Sequence, residues 1–131
     1  MIGLDTDFIV DLLKNNKTAI KKYEEIEHDK LVSTTINVHE AFSGVYLKHI
    51  IGKRDEQKTR DFFNNLHIFQ FDSHAAVVSA KFGAELVKVG STLANEDCMI
   101  ACTLITNGCN KLVTRNKKHF SRIKELKVIT Y

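Results

Sequence analysis

Apolar residues follow two spacings along this 131-residue chain. Short runs bounded by polar residues predict strands at Ile2–Leu4, Lys30–Ser33, His67–Phe71, Lys111–Thr114 and Lys127–Thr130, the last at a sheet edge. Between them, apolar residues recur every three or four positions, as on one face of a helix. Helices are predicted at Asp7–Lys14 and at Thr18–Glu27, where Ala19, Ile20, Tyr23 and Ile26 share a face. A long helix capped by Thr34 or Thr35 runs to about Ile51, and another spans Asp55–Leu66. Asp72 or Ser73 caps a helix to Val89, ended by Gly90, and Asn95 caps one to Asn107, ended by Gly108. Strands alternating with helices imply an α/β fold with a parallel sheet covered on both faces. Ligands of such sheets sit beyond the carboxyl ends of the strands.

That geometry directs attention to "MIGLDTDFIVDLL", where Asp5 ends the first strand. In "STTINVHEAFSGVYLKHI", steps of three or four from Ile36 reach Glu40, then Ser43, Gly44 and Leu47, so Glu40 lies on an apolar or small stripe. In "LANEDCMIACTLITNG", Leu93, Asp97, Ile100, Ala101 and Leu104 form one stripe, opened by Asp97, while Glu96 points about 100° away. Each acid alone has an ordinary explanation, since a carboxylate near a helix start favours the helix dipole. Together they raise a different prospect. Three carboxylates gathered at one sheet end would repel unless a divalent cation balanced them, and an all-oxygen donor set suits Mg²⁺ or Mn²⁺.

Composition narrows the class. A chain of this length is read as one domain over residues 1–131, and no proline or Gly/Ser linker marks a boundary. With 44% hydrophobic and 27% charged residues and no apolar stretch of membrane-spanning length, a cytoplasmic protein is expected. Cys98, Cys102 and Cys109 are odd in number and lack a matching histidine pair, so they read as core residues rather than disulfides or a zinc site. The formal charge is only +3, but "KLVTRNKKHFSRIKELK" holds a single acid, Glu125, among many Lys and Arg. Such a face suits a phosphate-rich partner or is a solvated lysine-rich edge.

The segments "MIGLDTDFIVDLL", "STTINVHEAFSGV", "EDCMIACTLITNG" and "LVTRNKKHFSRI", in that order, resemble the motif regions of the PIN domain family, and most of all its VapBC-type toxin ribonucleases. The resemblance covers nearly the whole chain. It implies a three-layer α/β/α sandwich around a central parallel sheet, and metal-dependent cleavage of RNA. It matches Asp5, Glu40 and Asp97 to the family's metal-binding acids. Asn116 falls at the fourth position, where aspartate is frequent, and adds no charge there. Asp7 is an extra acid, read as a cap of the first helix with the metal shell as the alternative.

On this reading Thr6 and Thr114 are supporting hydroxyls or plain turn residues, and Arg115, Lys117 and Lys118 are phosphate contacts or an exposed loop. His119 acts near the leaving group or packs beside Phe120; His39 has no ligand spacing. The resemblance further implies a homodimer and a cognate antitoxin whose tail wraps a groove, with Ile20, Tyr23, Phe62 and Phe63 as lining or as core. Three alternatives stand beside it: an RNA-processing nuclease outside a toxin pair, a non-catalytic RNA-binding module, and a haloacid-dehalogenase-like phosphotransferase built on Asp5-Thr6-Asp7. The last lacks an acidic pair after its late strand, where the chain reads Arg115-Asn116-Lys117-Lys118.

Overall fold

The computed structural model describes residues 1–48 and 53–131. Five strands, β1 (Ile2–Leu4), β2 (Leu31–Thr34), β3 (His67–Phe69), β4 (Lys111–Val113) and β5 (Lys127–Ile129), form one sheet in the order β3-β2-β1-β4-β5. Every pairing is parallel, so the helices between strands must cross over the sheet faces. Strand β1 is central, with Gly3 in register with Val32 on one side and Leu112 on the other.

Successive side chains of a strand point to opposite faces, and the two cores follow that rule. Ile2, Leu4 and Val113 face α1 (Thr6–Leu13), α2 (Lys17–Ile26), α3 (Thr35–Tyr46) and α4 (Lys53–Asn64), meeting Phe8, Ile9, Ala19, Ala41 and Phe63. Val32 and Leu112 face the other way, towards Ile100, Ala101 and Leu104 of α6 (Asn95–Thr106), with Phe82 of α5 (Ser73–Lys88) packed alongside. Gly3 lies between β-strand neighbours under Leu104, and a Cβ there would stand 2.7 Å from Leu104 Cδ1. The missing side chain is what lets α6 sit close to the sheet. The expected three-layer α/β/α architecture is present.

Local capping explains where the helices begin. Asn16 accepts from Ala19 N–H at 3.0 Å, and Asp72 from Ala75 N–H at 2.9 Å. Thr34 and Asn37 form a reciprocal box: Asn37 N–H donates to Thr34 Oγ1, and Asn37 Oδ1 accepts from Thr34 N–H. Gly90 and Gly108 take positive φ, 70° and 80°, and end α5 and α6. The differences from the expected boundaries are informative. Asn95 does not cap α6; Ala94 stands there with no side-chain bond, and Asn95 is the first helical residue. Helix α3 gives way after Tyr46 to Leu47, while the expected end at Ile51 lies outside the described residues. A short helix, α7 (Lys117–Phe120), was not foreseen, because its single apolar anchor, the buried Phe120, shows no periodicity.

Candidate active site

The first turn after β1 carries the site. Asp5 follows Leu4 directly, its backbone N–H donating to Val113 O at 3.1 Å, so the parallel ladder sets its position. Its carboxylate is buried, 5% exposed, and caps α1 by accepting from Thr6 N–H at 2.8 Å. Asn37 Nδ2 donates to the same oxygen at 3.2 Å, and Thr114 Oγ1 donates to the other at 2.7 Å. Three donors still leave this group short of what water would provide. Burial, then the neighbouring Asp7 charge, push its pKa up to about 7, against the pull of the Thr114 and Thr6 hydrogen bonds.

Glu40 projects from α3 and accepts from Thr6 Oγ1 at 2.7 Å. Thr6 Oγ1 in turn accepts from Asn37 Nδ2 at 3.0 Å, so Thr6 and Asn37 link the first acid to the second. The Glu40 pKa is raised by burial, and the charges of Asp97 and Glu96 add to the rise. Asp97, in the first turn of α6, is raised by burial as well, with His119 opposing: its Nδ1 lies 3.3 Å from Asp97 Oδ2. Thr6, Asn37 and Thr114 join the Asp5, Asp7 and Glu40 carboxylates by hydrogen bonds, while Asp97 is tied to them only through the effect of its charge on Glu40. Glu96, expected to point away, is exposed but close enough to burden Glu40 and Asp97.

Two expectations need correction. Asp7 does not cap α1, since Asp5 already does. Its Oδ2 accepts from Arg115 N–H at 3.0 Å and from Thr114 Oγ1 at 3.2 Å, while its Oδ1 is buried without a partner. A charge beside Asp5 therefore comes from Asp7, on α1. Asn116, the expected fourth position, is exposed at the start of α7, and its side chain makes no hydrogen bond among the described residues. Only its backbone N–H reaches the site's framework, donating to Thr114 Oγ1 at 3.0 Å. Thr114 is no ordinary turn residue: fully buried, it serves Asp5, Asp7 and Asn116 at once. Lys117 and Lys118 are exposed, whereas Arg115 is paired with Asp11.

Asn37 was not foreseen as a site residue. It is fully buried in α3 and donates to both Asp5 and Thr6. The available signal was an asparagine three residues after Thr34, the spacing of a capping box, one turn before Glu40. Ser33 was missed too; its hydroxyl donates to Leu4 O at 3.0 Å and braces the end of β1.

Among the described residues no three His, Cys, Asp or Glu side chains form a ready-made metal-holding group. The carboxylates are instead held by hydroxyl, amide and backbone donors. Their chemistry nonetheless fits a hard divalent cation: all donors are oxygens, burial raises every pKa, and Asp7 Oδ1 has no partner. A cleft of about 140 Å³ between α1, α3 and α4 is lined by Val10, Leu13, Ala41 and Val45, and none of the four acids lines it.

The PIN domain model matches residues 2–126, nearly the whole chain. The chain belongs to the PIN domain family. Within that family it is 25% identical over 125 residues to the tRNA(fMet)-specific endonuclease VapC of Salmonella typhimurium, spanning 95% of this chain and 93% of that one. It is 27% identical over 130 residues to ribonuclease VapC1 of Methanocaldococcus jannaschii, spanning 99% and 86%. The fold superimposes on a chain of VapBC2 from Rickettsia felis, solved bound to a promoter DNA fragment, with a TM-score of 0.86, 25% identity and coverage of 100% and 99%. With the family established, the phosphotransferase reading of Asp5-Thr6-Asp7 is set aside.

Proposed function

We propose that this PIN domain is a metal-dependent ribonuclease of the VapC type, the toxin of a toxin–antitoxin pair. The observation that carries the reading is the linked carboxylate cluster Asp5–Asp7–Glu40–Asp97 at the end of the central strand, in a chain similar over nearly its full length to two VapC ribonucleases. Asp5, Glu40 and Asp97 would hold the cation, Mg²⁺ or Mn²⁺. When bound, such an ion acidifies a water and neutralises charge on a phosphoryl oxygen.

The chain's own groups set the conditions for that chemistry. Thr6, Asn37 and Thr114 fix the Asp5 and Glu40 carboxylates before any ligand arrives, so little reorganisation remains. His119 orients Asp97 from the solvent side. Arg115, Lys117 and Lys118, on and just before α7, supply positive charge for the RNA backbone beside the acids.

An antitoxin partner is proposed on the same grounds, because the superimposing Rickettsia felis chain comes from a VapBC2 complex. The apolar cleft between α1, α3 and α4 would receive its tail. None of Ile20, Tyr23, Phe62 and Phe63 lines that cleft: Tyr23 and Phe62 line a second hollow with Leu12 and Leu13, and Phe63 is buried in the core. A second copy of the chain would pair along α5, which exposes Val77 and Val87.

Incubation of the purified protein with total tRNA, beginning with tRNA(fMet), tests the reading. Cleavage is expected with Mg²⁺ or Mn²⁺ and not with chelator, and Asp97→Asn should lower the rate at least ~100-fold. Undiminished cleavage in chelator, or by Asp97→Asn, would overturn it.

A further inference from the structure

Asp11 is a buried carboxylate that the cluster above does not use. It sits one turn after Asp7 on α1, so the two acids share a helix face. Both hold the same residue. Asp7 Oδ2 accepts the Arg115 backbone N–H at 3.0 Å, and Asp11 Oδ2 lies 3.3 Å from Arg115 Nε. That Asp11 oxygen also accepts the Tyr131 hydroxyl at 2.8 Å, and the Tyr131 ring packs edge-on against Phe8 with centroids 4.8 Å apart. The first residue beyond Thr114 is therefore fastened at its main chain and at the base of its guanidinium.

Stability alone is a weak reason for such an arrangement. The Arg115 side chain is 57% exposed, and ion pairs of that exposure contribute little. Burying the Asp11 carboxylate has a cost that a surface aspartate would avoid. What the arrangement does provide is an exposed guanidinium tethered at Nε by the Asp11 charge, on the residue whose main chain Asp7 holds. A planar donor fork restrained in advance loses less entropy on meeting a phosphate. Lys117 and Lys118 have no acid within ion-pair distance among the described residues, so they lack this restraint.

We infer that Asp11, braced by Tyr131, is a positioning residue that holds Arg115 as the oriented phosphate contact for a single-stranded RNA substrate. The inference rests on the ribonuclease reading for its ligand class, but its test is binding rather than cleavage.

Binding of a labelled mixed-sequence single-stranded oligoribonucleotide to the full chain is followed by fluorescence anisotropy in chelator, across a salt series. Arg115→Ala should weaken binding about 10-fold and reduce the salt slope by about 0.7, the loss of one phosphate contact. Asp11→Asn, which keeps an acceptor for Tyr131, should weaken binding about 3-fold, and Tyr131→Phe should move it in the same direction. The double variant Arg115→Ala/Asp11→Asn should bind no more weakly than Arg115→Ala alone, because Asp11 acts only through Arg115. Circular dichroism verifies that each variant keeps its fold. Wild-type affinity in Arg115→Ala would overturn the inference, as would a double variant weaker than Arg115→Ala by the full Asp11→Asn factor. If the wild type cleaves RNA while either result holds, the nuclease reading stands without this one. If it binds with the expected pattern and does not cleave, the reverse is true; absence of any RNA binding in chelator overturns this inference, while cleavage with Mg²⁺ decides the nuclease reading separately.

Discussion

Thr114 Oγ1 donates to Asp5 Oδ2 at 2.7 Å, joining residues 109 positions apart in a fully buried contact. The bond exists because β1 and β4 are adjacent and parallel, which brings their two carboxyl ends together. It also determines the state of the acid, since it is the largest of the interactions that hold the Asp5 pKa down.

Replacing that hydroxyl by a methyl group tests its role. Thr114→Val keeps the shape but strips a donor from Asp5 and Asp7 and an acceptor from the Asn116 N–H. A loss of about 1–3 kcal/mol in urea denaturation is expected, with RNA cleavage reduced. An unchanged midpoint would mean that water substitutes for the hydroxyl.

The raised pKa of Asp5 gives a pH dependence with a definite sign. Its folded value of about 7 lies above the unfolded 3.8, so the native state binds more protons between those values. Stability is then fully present below pH about 4 and is lost as pH rises through about 7, by a ceiling of ~4 kcal/mol. Urea denaturation in chelator should show that fall for the wild type and a flatter profile for Asp5→Asn. Mg²⁺ or Mn²⁺ should restore wild-type stability at pH 8 more than at pH 5, and equal effects at both would count against cation binding by Asp5.

Asp7 raises Asp5 through its charge, second only to burial. Asp7→Asn should therefore lower the Asp5 pKa and move the acidic limb of the cleavage profile to lower pH. The amide can still accept from Arg115 N–H, so folding should survive. A limb that stays in place would show that Asp7 and Asp5 do not titrate together.

Asn37→Ala removes the donor shared by Asp5 and Thr6 and opens a gap in the buried capping box. The expected cost is about 1–3 kcal/mol, with lower cleavage even at temperatures where the variant is fully folded. Wild-type turnover in the folded variant would make Asn37 a helix cap alone.

Gly3→Ala tests the approach of α6 to the sheet. The added Cβ would stand 2.7 Å from Leu104 Cδ1 and 3.1 Å from Lys111 O, and the backbone oxygen is held within the sheet. Overpacking of about 1–3 kcal/mol is expected, read as a lower thermal midpoint.

By itself the sequence determined the local elements and the identity of the acids. Runs of two or three apolar residues and three-to-four spacing depend only on neighbours along the chain, so β1 to β5 and the six longer helices were legible. Asp5, Glu40 and Asp97 stood out because each interrupts or borders an apolar pattern. Only the tertiary structure decided the company these acids keep. Asp7 joins the cluster, Thr114 serves it, Asn37 bridges it, and Asn116 contributes its main chain alone. Those outcomes depend on strands far apart in sequence becoming neighbours, and on which donors remain once water has been excluded. Neither distance nor desolvation is written in a local pattern.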